Sequence, residues 1–322
     1  MTIKHLVISG GGPTGLSFLG AMEYLFDNGF VSMDNIESIY ATSIGTVLGV
    51  FLSLNYDWVT IKKYVIERPW KDIFKLTAKQ IMDTYTNKGL YDIKIIEKVF
   101  KSLLAAKDLP LYITLKEFYE YSKKDIHFFV FDLNIYKTVE ITHILYPDLP
   151  LIKAIYMSCS LPGIFIPTIM ENMCLMDGGP LANFPLNYCL RDHPNKDEIL
   201  GFNFIYQNED GTECSGNNII NDESDIMDFI LALSLNSMNY ITTSIKYDKI
   251  DNVVEISSHT TMLTIDSLSN SVNTIEGRQQ LFDKGIESAK QFIIQNEMKM
   301  KQNEELKKNT EEYLVEIGRA HV

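Results

Sequence analysis

None of the four cysteines (Cys159, Cys174, Cys189 and Cys214) forms a CxxC pair, and they stand far apart. Zinc knuckles and thioredoxin-type centres need that spacing, and a disulfide framework needs a denser one, so the four are read as reduced thiols. Basic residues are scarce: 29 Lys and Arg against 42 Asp and Glu leave a net charge of −13. A nucleic-acid surface requires a clustered basic excess, so no nucleic-acid partner is expected. The same deficit gives no global attraction to anionic membranes; any lipid contact is expected to be local and apolar, and no basic amphipathic helix is evident. Long apolar runs are missing as well. The most membrane-like stretch, Ile44 to Leu54, is about half the ~20 residues of a spanning helix and reads as a buried one. No basic region followed by an apolar stretch precedes "HLVISGGG". With no leader visible, the expectation is a cytoplasmic protein, peripheral at membranes where it meets lipid.

What remains is ordinary globular material. The 322 residues are 46% apolar, enough for a sizeable core in one large α/β domain or two smaller ones. Residues 5–9, "HLVIS", read as a strand running into "GGGPTG", and "LSFLGAMEYLFDNG" as a helix stopped at Asn28-Gly29. "ESIYAT" is a second strand, leading through Ser43 into the apolar helix "IGTVLGVFLSL". This β-α-β-α order with short connections predicts a parallel sheet covered by helices. Residues 57–121 read as mostly helical, interrupted by "TNKGLYD" and Pro110; two strands follow in "DIHFFVFDLN" and "KTVEITHI". "LPLIKAIYMSCS" is a buried helix, "IFIPTIMENMCLMDGG" a hairpin, and "EILGFNFIY" and "VVEISS" late strands, with a polar loop at 208–218 and the apolar helix "DIMDFILALSLNSMNYI" between them. A last helix begins near Ile275, and from Glu297 it is almost wholly charged, as a solvated face would be. There is no internal repeat. The final "IGRAHV" follows from nothing before it and reads as non-native, so His321 carries no functional weight.

Three pieces carry chemistry. "GGGPTG", Gly10 to Gly15, fits G-x-G-x-x-G between strand and helix. Its amides suit either a dinucleotide pyrophosphate or a developing oxyanion, and a tight turn without ligand would use the same glycines. The dinucleotide reading asks for an acid at the end of the second strand. That strand ends "YATSIGT", with Glu37 at the wrong end. "ATSIG" departs from the nucleophile elbow G-x-S-x-G only by Ala41. Taken alone, Ser43 could equally be a helix N-cap. A serine nucleophile needs a base, and His127, His143, His193 and His259 sit in no recognisable motif. Asp177 in "LMDGGP" offers a carboxylate instead, at the end of an apolar strand with Gly178 and Gly179 turning the chain behind it. Burial would raise its basicity, and a hydrogen bond would orient the serine proton.

In this order the pieces resemble the patatin-like phospholipase family: a glycine-rich turn, a G-x-S-x-G-like elbow, then D-G-G. Ser43 and Asp177 are 134 residues apart, a separation typical of that family. "SCSLPGIFIP" (158–167) is similar to its Ser-x-x-x-Pro-x-x-Phe segment, and "GLYD" and "LFDKGIESAKQFI" to further landmarks. The resemblance implies a three-layer α/β/α sandwich with a mostly parallel central sheet. It implies a patatin-like acyl hydrolase domain over 1–295 with a family core at 5–190, followed by a charged helical tail (296–316) and the non-native 317–322. It further implies a Ser43–Asp177 dyad without histidine and an oxyanion hole from the Gly10, Gly11 and Gly12 amides, with Gly15, Gly45, Gly178 and Gly179 as support. The implied activity is hydrolysis of fatty-acyl esters of phospholipids or other lipids, with no metal and no cofactor, and with lipid at a membrane or micelle surface as partner. Ala41 and the "PTG" turn, with Thr14 where the family often carries Arg or Lys, depart from the pattern and bear on rate and head-group preference. Two other readings stay open: an inactive lipid-binding relative, and a dinucleotide-binding oxidoreductase. The Trp70–Tyr91 region and the helix around Phe229–Leu235 are candidates for a lid or interfacial surface.

Overall fold

The computed structural model describes residues 2–206, 220–244, 248–258 and 273–320. The expected loop at 208–218, Cys214, His259 and His321 lie outside them. The strands are β1 (His5–Ile8), β2 (Ser38–Thr42), β3 (Gly89–Tyr91), β4 (Asp125–Asp132), β5 (Lys137–Ile141), β6 (Gly163–Phe165), β7 (Thr168–Met170), β8 (Met173–Asp177), β9 (Ile199–Tyr206) and β10 (Val253–Ser258). Eight of them form one sheet in the order β10-β9-β1-β2-β4-β8-β7, with β5 on β4. The run from β10 to β4 is parallel, and β5, β8 and β7 join antiparallel. The expected mostly parallel sheet flanked by helices is therefore present.

Strand alternation divides the core between two faces. Leu6 and Ile8, Ile39 and Ala41, and Phe128 and Val130 face the larger cluster, which includes residues of α1 (Leu16–Asp27) and α2 (Ile44–Ser53) and of the last described helix, Ile275–Ala320. Val7, Tyr40 and Phe129 face the opposite way, onto Phe184, Leu186 and Cys189. Central strands covered on both faces read as continuous apolar runs, which is why "HLVI" and "SIYAT" show no polar alternation.

Two features depart from the expectation. "TNKGLYD" holds more than a break, because Gly89–Tyr91 is strand β3. Ile164 and Phe165, expected in the hairpin, pair instead with β3 as β6, forming a second small sheet. Pro167 has no N–H to continue a ladder, so the strand stops there and the hairpin proper begins at Thr168.

Candidate active site

Parallel α/β sheets present their loops at the carboxyl ends of the strands, near the point where the winding reverses. Here the winding reverses at β1, which lies between β9 and β2. The glycine turn leaves β1 there, and Ser43 leaves the adjacent β2.

Ser43 has φ 54° and ψ −126°, a positive φ that a non-glycine residue seldom adopts. Such a conformation costs about 1–3 kcal/mol and persists only where its surroundings fix it. Its N–H donates to Ser158 Oγ at 2.9 Å, and the Ser158 hydroxyl donates onward to the Phe129 carbonyl at 2.7 Å. Its own carbonyl accepts from Thr46 Oγ1 at 2.7 Å. The following glycine lets α2 start against β1: a methyl on Gly45 would lie 2.5 Å from the Ile8 carbonyl oxygen. Ala41 is fully buried and its methyl joins the core, so the departure from the family's glycine is absorbed by packing.

Register explains how a distant aspartate reaches this serine. Thr42 pairs with Phe129 on β4, and Val130 pairs with Asp177 on β8. The ends of β2 and β8 therefore stand level on either side of β4. Ser43 Oγ donates to Asp177 Oδ2 at 2.5 Å. Asp177 Oδ1 accepts the Gly179 N–H at 2.8 Å, and the Asp177 N–H donates to the Ser160 carbonyl at 3.0 Å. The turn Ser158–Ser160 thus holds the backbone of both residues. Asp177 is only 4% exposed. Burial pushes its carboxyl up to about 6, against the bonds from Ser43 and Gly179 that hold it down. Gly178 passes so close to β4 that a methyl there would meet the Phe129 carbonyl oxygen at 2.4 Å.

At the glycine turn, the Gly10 N–H is committed to the Asn183 carbonyl at 3.1 Å. The amides of Gly11 and Gly12 have no acceptor among the described residues. Thr14 Oγ1 donates to the Gly11 carbonyl at 2.6 Å, bracing the turn from within. Gly15 lies against Ile44: a methyl there would meet Ile44 Cγ1 at 2.4 Å. Asn183 is buried, and its carboxamide comes close to Ser43 and Gly179. A methyl on Gly10 would lie 2.5 Å from Asn183 Oδ1 and 3.1 Å from Ser43 Cβ. Neither Ser158 nor Asn183 was singled out by sequence as a site residue. Ser158 opens the Ser-x-x-x-Pro segment and could have been noticed there; nothing in the local pattern marks Asn183.

No described histidine hydrogen-bonds to Ser43 or Asp177. His127 is buried between two carboxylates, with Nδ1 2.6 Å from Glu140 Oε1 and Nε2 3.3 Å from Asp125 Oδ2. Burial alone would lower its pKa, but the two partners outweigh that and raise it to about 9. His127, Glu140 and Asp192 are spaced to hold a metal ion. Arg191 already bridges Glu140 and Asp192, filling the place of a cation.

The fold and site define a class: α/β/α proteins with a serine on a strand-to-helix turn beside a glycine-rich loop. The family model for patatin-like phospholipase matches residues 6–190, and the chain belongs to that family. It is 28% identical over 297 residues to the uncharacterized protein R571 of Acanthamoeba polyphaga mimivirus, covering 91% of this chain and 94% of that one. It is 26% identical over 201 residues to the probable lipid hydrolase 463L of Invertebrate iridescent virus 6, covering 61% of this chain and 66% of that one. In fold it is similar to VipD from Legionella pneumophila, with a TM-score of 0.54 at 17% identity over 92% of this chain and 67% of that one.

Proposed function

We propose that the chain is a serine acyl hydrolase acting on fatty-acyl esters of phospholipids or other lipids, with residues 1–295 as the catalytic unit. The observation that carries this reading is the 2.5 Å bond from Ser43 Oγ to the buried Asp177 carboxylate. Family membership and the similarity to a probable lipid hydrolase support the lipid class of substrate. Ser43 Oγ attacks the acyl carbon while Asp177 Oδ2 takes its proton, and the carbonyl electron pair moves onto oxygen. The unengaged Gly11 and Gly12 amides receive that oxyanion. Gly10, whose N–H is engaged by Asn183, supports the turn. Collapse breaks the ester bond, and Asp177 returns the proton to the departing alcohol. A water then gives its proton to Asp177 and attacks the acyl-enzyme; the Oγ–acyl bond breaks, the fatty acid leaves, and Asp177 passes that proton to Ser43 Oγ. A carboxylate with a pKa near 6 is a better base than one near 4 and is still ionised at neutral pH.

The test is hydrolysis of a short-chain chromogenic ester and a fluorogenic phospholipid by the wild type and by Ser43→Ala, both shown folded by circular dichroism. Activity in the wild type alone is the expected result. An active-site phosphonate should label Ser43, and peptide mapping to another serine would sink the assignment.

A further inference from the structure

Helix Ala78–Asn87 is built the wrong way round for a soluble surface. Not one of its residues is buried. Its polar residues Gln80, Asp83 and Thr84 are half-buried, and Gln80 Nε2 bonds the Leu90 carbonyl at 3.4 Å. Its apolar residues Ile81, Met82 and Tyr85 are 58%, 80% and 96% exposed. At 100° per residue these three share one face, and it is the outward one. A helix normally gains its stability by burying that face. This one is closed at its ends by other means, with a Thr77–Gln80 capping box and Lys88 in the left-handed conformation.

Charge marks the same segment. Residues 70–88 carry four lysines against two aspartates within a chain of net charge −13. Lys71, Lys75, Lys79 and Lys88 are all exposed, and none forms an ion pair among the described residues. A second apolar stripe, Ile226, Phe229 and Leu233, is exposed on helix Ile226–Ser244, but Asp222, Glu223 and Asp225 are exposed at its start, so the basic excess belongs to residues 70–88. The inner side of that helix packs on Leu161 and Ile164, and its Met238 lies against Gly179 beside the dyad. The two helices flank the β3–β6 sheet: Ala78–Asn87 leads into Gly89, and Gly163 touches Met227 and Ile230. Helix Ile226–Ser244 therefore joins the β3–β6 region to the candidate active site.

We propose that the outward face of Ala78–Asn87, with its lysine rim, docks on an anionic phospholipid bilayer. Ile81, Met82 and Tyr85 enter the boundary between head groups and acyl chains, and the lysines meet the phosphates above them. The proposal rests on the lipid-hydrolase reading for its direction, since docking there brings the dyad to its substrate. It also explains how an acidic protein approaches an anionic surface: the charge that matters is local.

The test is co-sedimentation of the full chain carrying Ser43→Ala with vesicles of phosphatidylcholine, with and without phosphatidylserine. Binding is expected to be stronger to the vesicles with phosphatidylserine and to weaken with salt. Ile81→Ser/Met82→Ser/Tyr85→Ser should lower it at least ~10-fold. Charge reversal at Lys71, Lys75 and Lys79 should lower it ~10-fold on anionic vesicles only. In the Ser43 background, the apolar triple variant should lose vesicle hydrolysis and keep soluble-ester hydrolysis. Equal binding by wild type and variants overturns the proposal while leaving the hydrolase reading intact. So does a dimer that the triple variant dissolves, which would make the face a contact between copies. Vesicle binding that the variants abolish, in a chain that hydrolyses no ester, keeps the docking face and removes the enzyme.

Discussion

The proposed mechanism makes Asp177 the base, and water scarcely reaches this carboxylate, which has two measurable consequences. The group must be ionised to accept the Ser43 proton, so turnover on a soluble ester should fall through a single ionisation near pH 6 on the acid side. A rate flat down to about pH 4 would rule out Asp177 as the base. The second consequence is thermodynamic. The folded pKa lies above the ordinary carboxyl value of 3.8, so the folded state binds more protons between about 4 and about 6 and stability falls as pH rises through that window. Above it the ionised group costs about 3 kcal/mol. Asp177→Asn removes the charge: its oxygen can keep the Gly179 N–H, and its amide N–H then donates to Ser43 Oγ instead of accepting from it. It should unfold at higher urea than wild type near neutral pH, match it near pH 4, and lose at least ~1,000-fold in turnover. Ser158 predicts a different signature. Ser158→Ala leaves the Ser43 N–H without its acceptor, a loss of about 1–3 kcal/mol. It should lower kcat on a soluble ester with KM little changed, because the strained serine loses its brace while the substrate surface is untouched. A change in KM alone would remove Ser158 from this role.

Between elements, the tightest approach is α1 against the last described helix. A methyl on Gly20 would lie 2.0 Å from the Phe282 carbonyl oxygen, and one on Gly285 would lie 1.7 Å from that of Ser17. Backbone meets backbone there, with no flexible side chain to give way. Gly20→Ala or Gly285→Ala should therefore destabilise by about 1–3 kcal/mol or more in urea unfolding, with the dyad chemistry of the folded fraction preserved. This crossing also shows where sequence reading runs out. "LFDKGIESAKQFI" is legible as an amphipathic helix, because periodicity is a local property. That its glycine meets the Ser17 backbone of α1 is a tertiary fact that no spacing encodes. The strands followed the same rule. Buried β1 and β2 were visible as apolar runs, but β3, three residues long and paired only with β6, looked like an interruption. Ser43 and Asp177 could be picked out by motif order. Their meeting depends on the register of β4 between them, and the Ser-x-x-x-Pro segment that holds Ser158–Ser160 does not itself say that this turn ties both backbones.

At the scale of the whole molecule, the last described helix is two things in one. Phe282, Ala289 and Phe292 are buried against the main core, and Arg278 Nε donates to the Ile66 carbonyl at 2.7 Å. Past Gln295 the described side chains lose that character: Glu297, Met298, Lys301 and Gln302 are exposed, and Lys299 makes an ion pair with the exposed Asp251 at 3.2 Å. Exposed pairs of this kind contribute about 0–1 kcal/mol. Each buried phenylalanine contributes about 1.5–3 kcal/mol, on the order of a quarter of a domain's net stability. The boundary of the folding unit should therefore fall inside a continuous helix. A chain stopped after Gln295 should retain its unfolding free energy in urea to within about 1 kcal/mol and keep its activity on a soluble ester. One stopped before Ile275 should fail to fold cooperatively, because α1 loses the surface that its glycine was shaped to meet. Equal stability of the two truncated chains would place the boundary upstream of Ile275 and remove that helix from the hydrolase core.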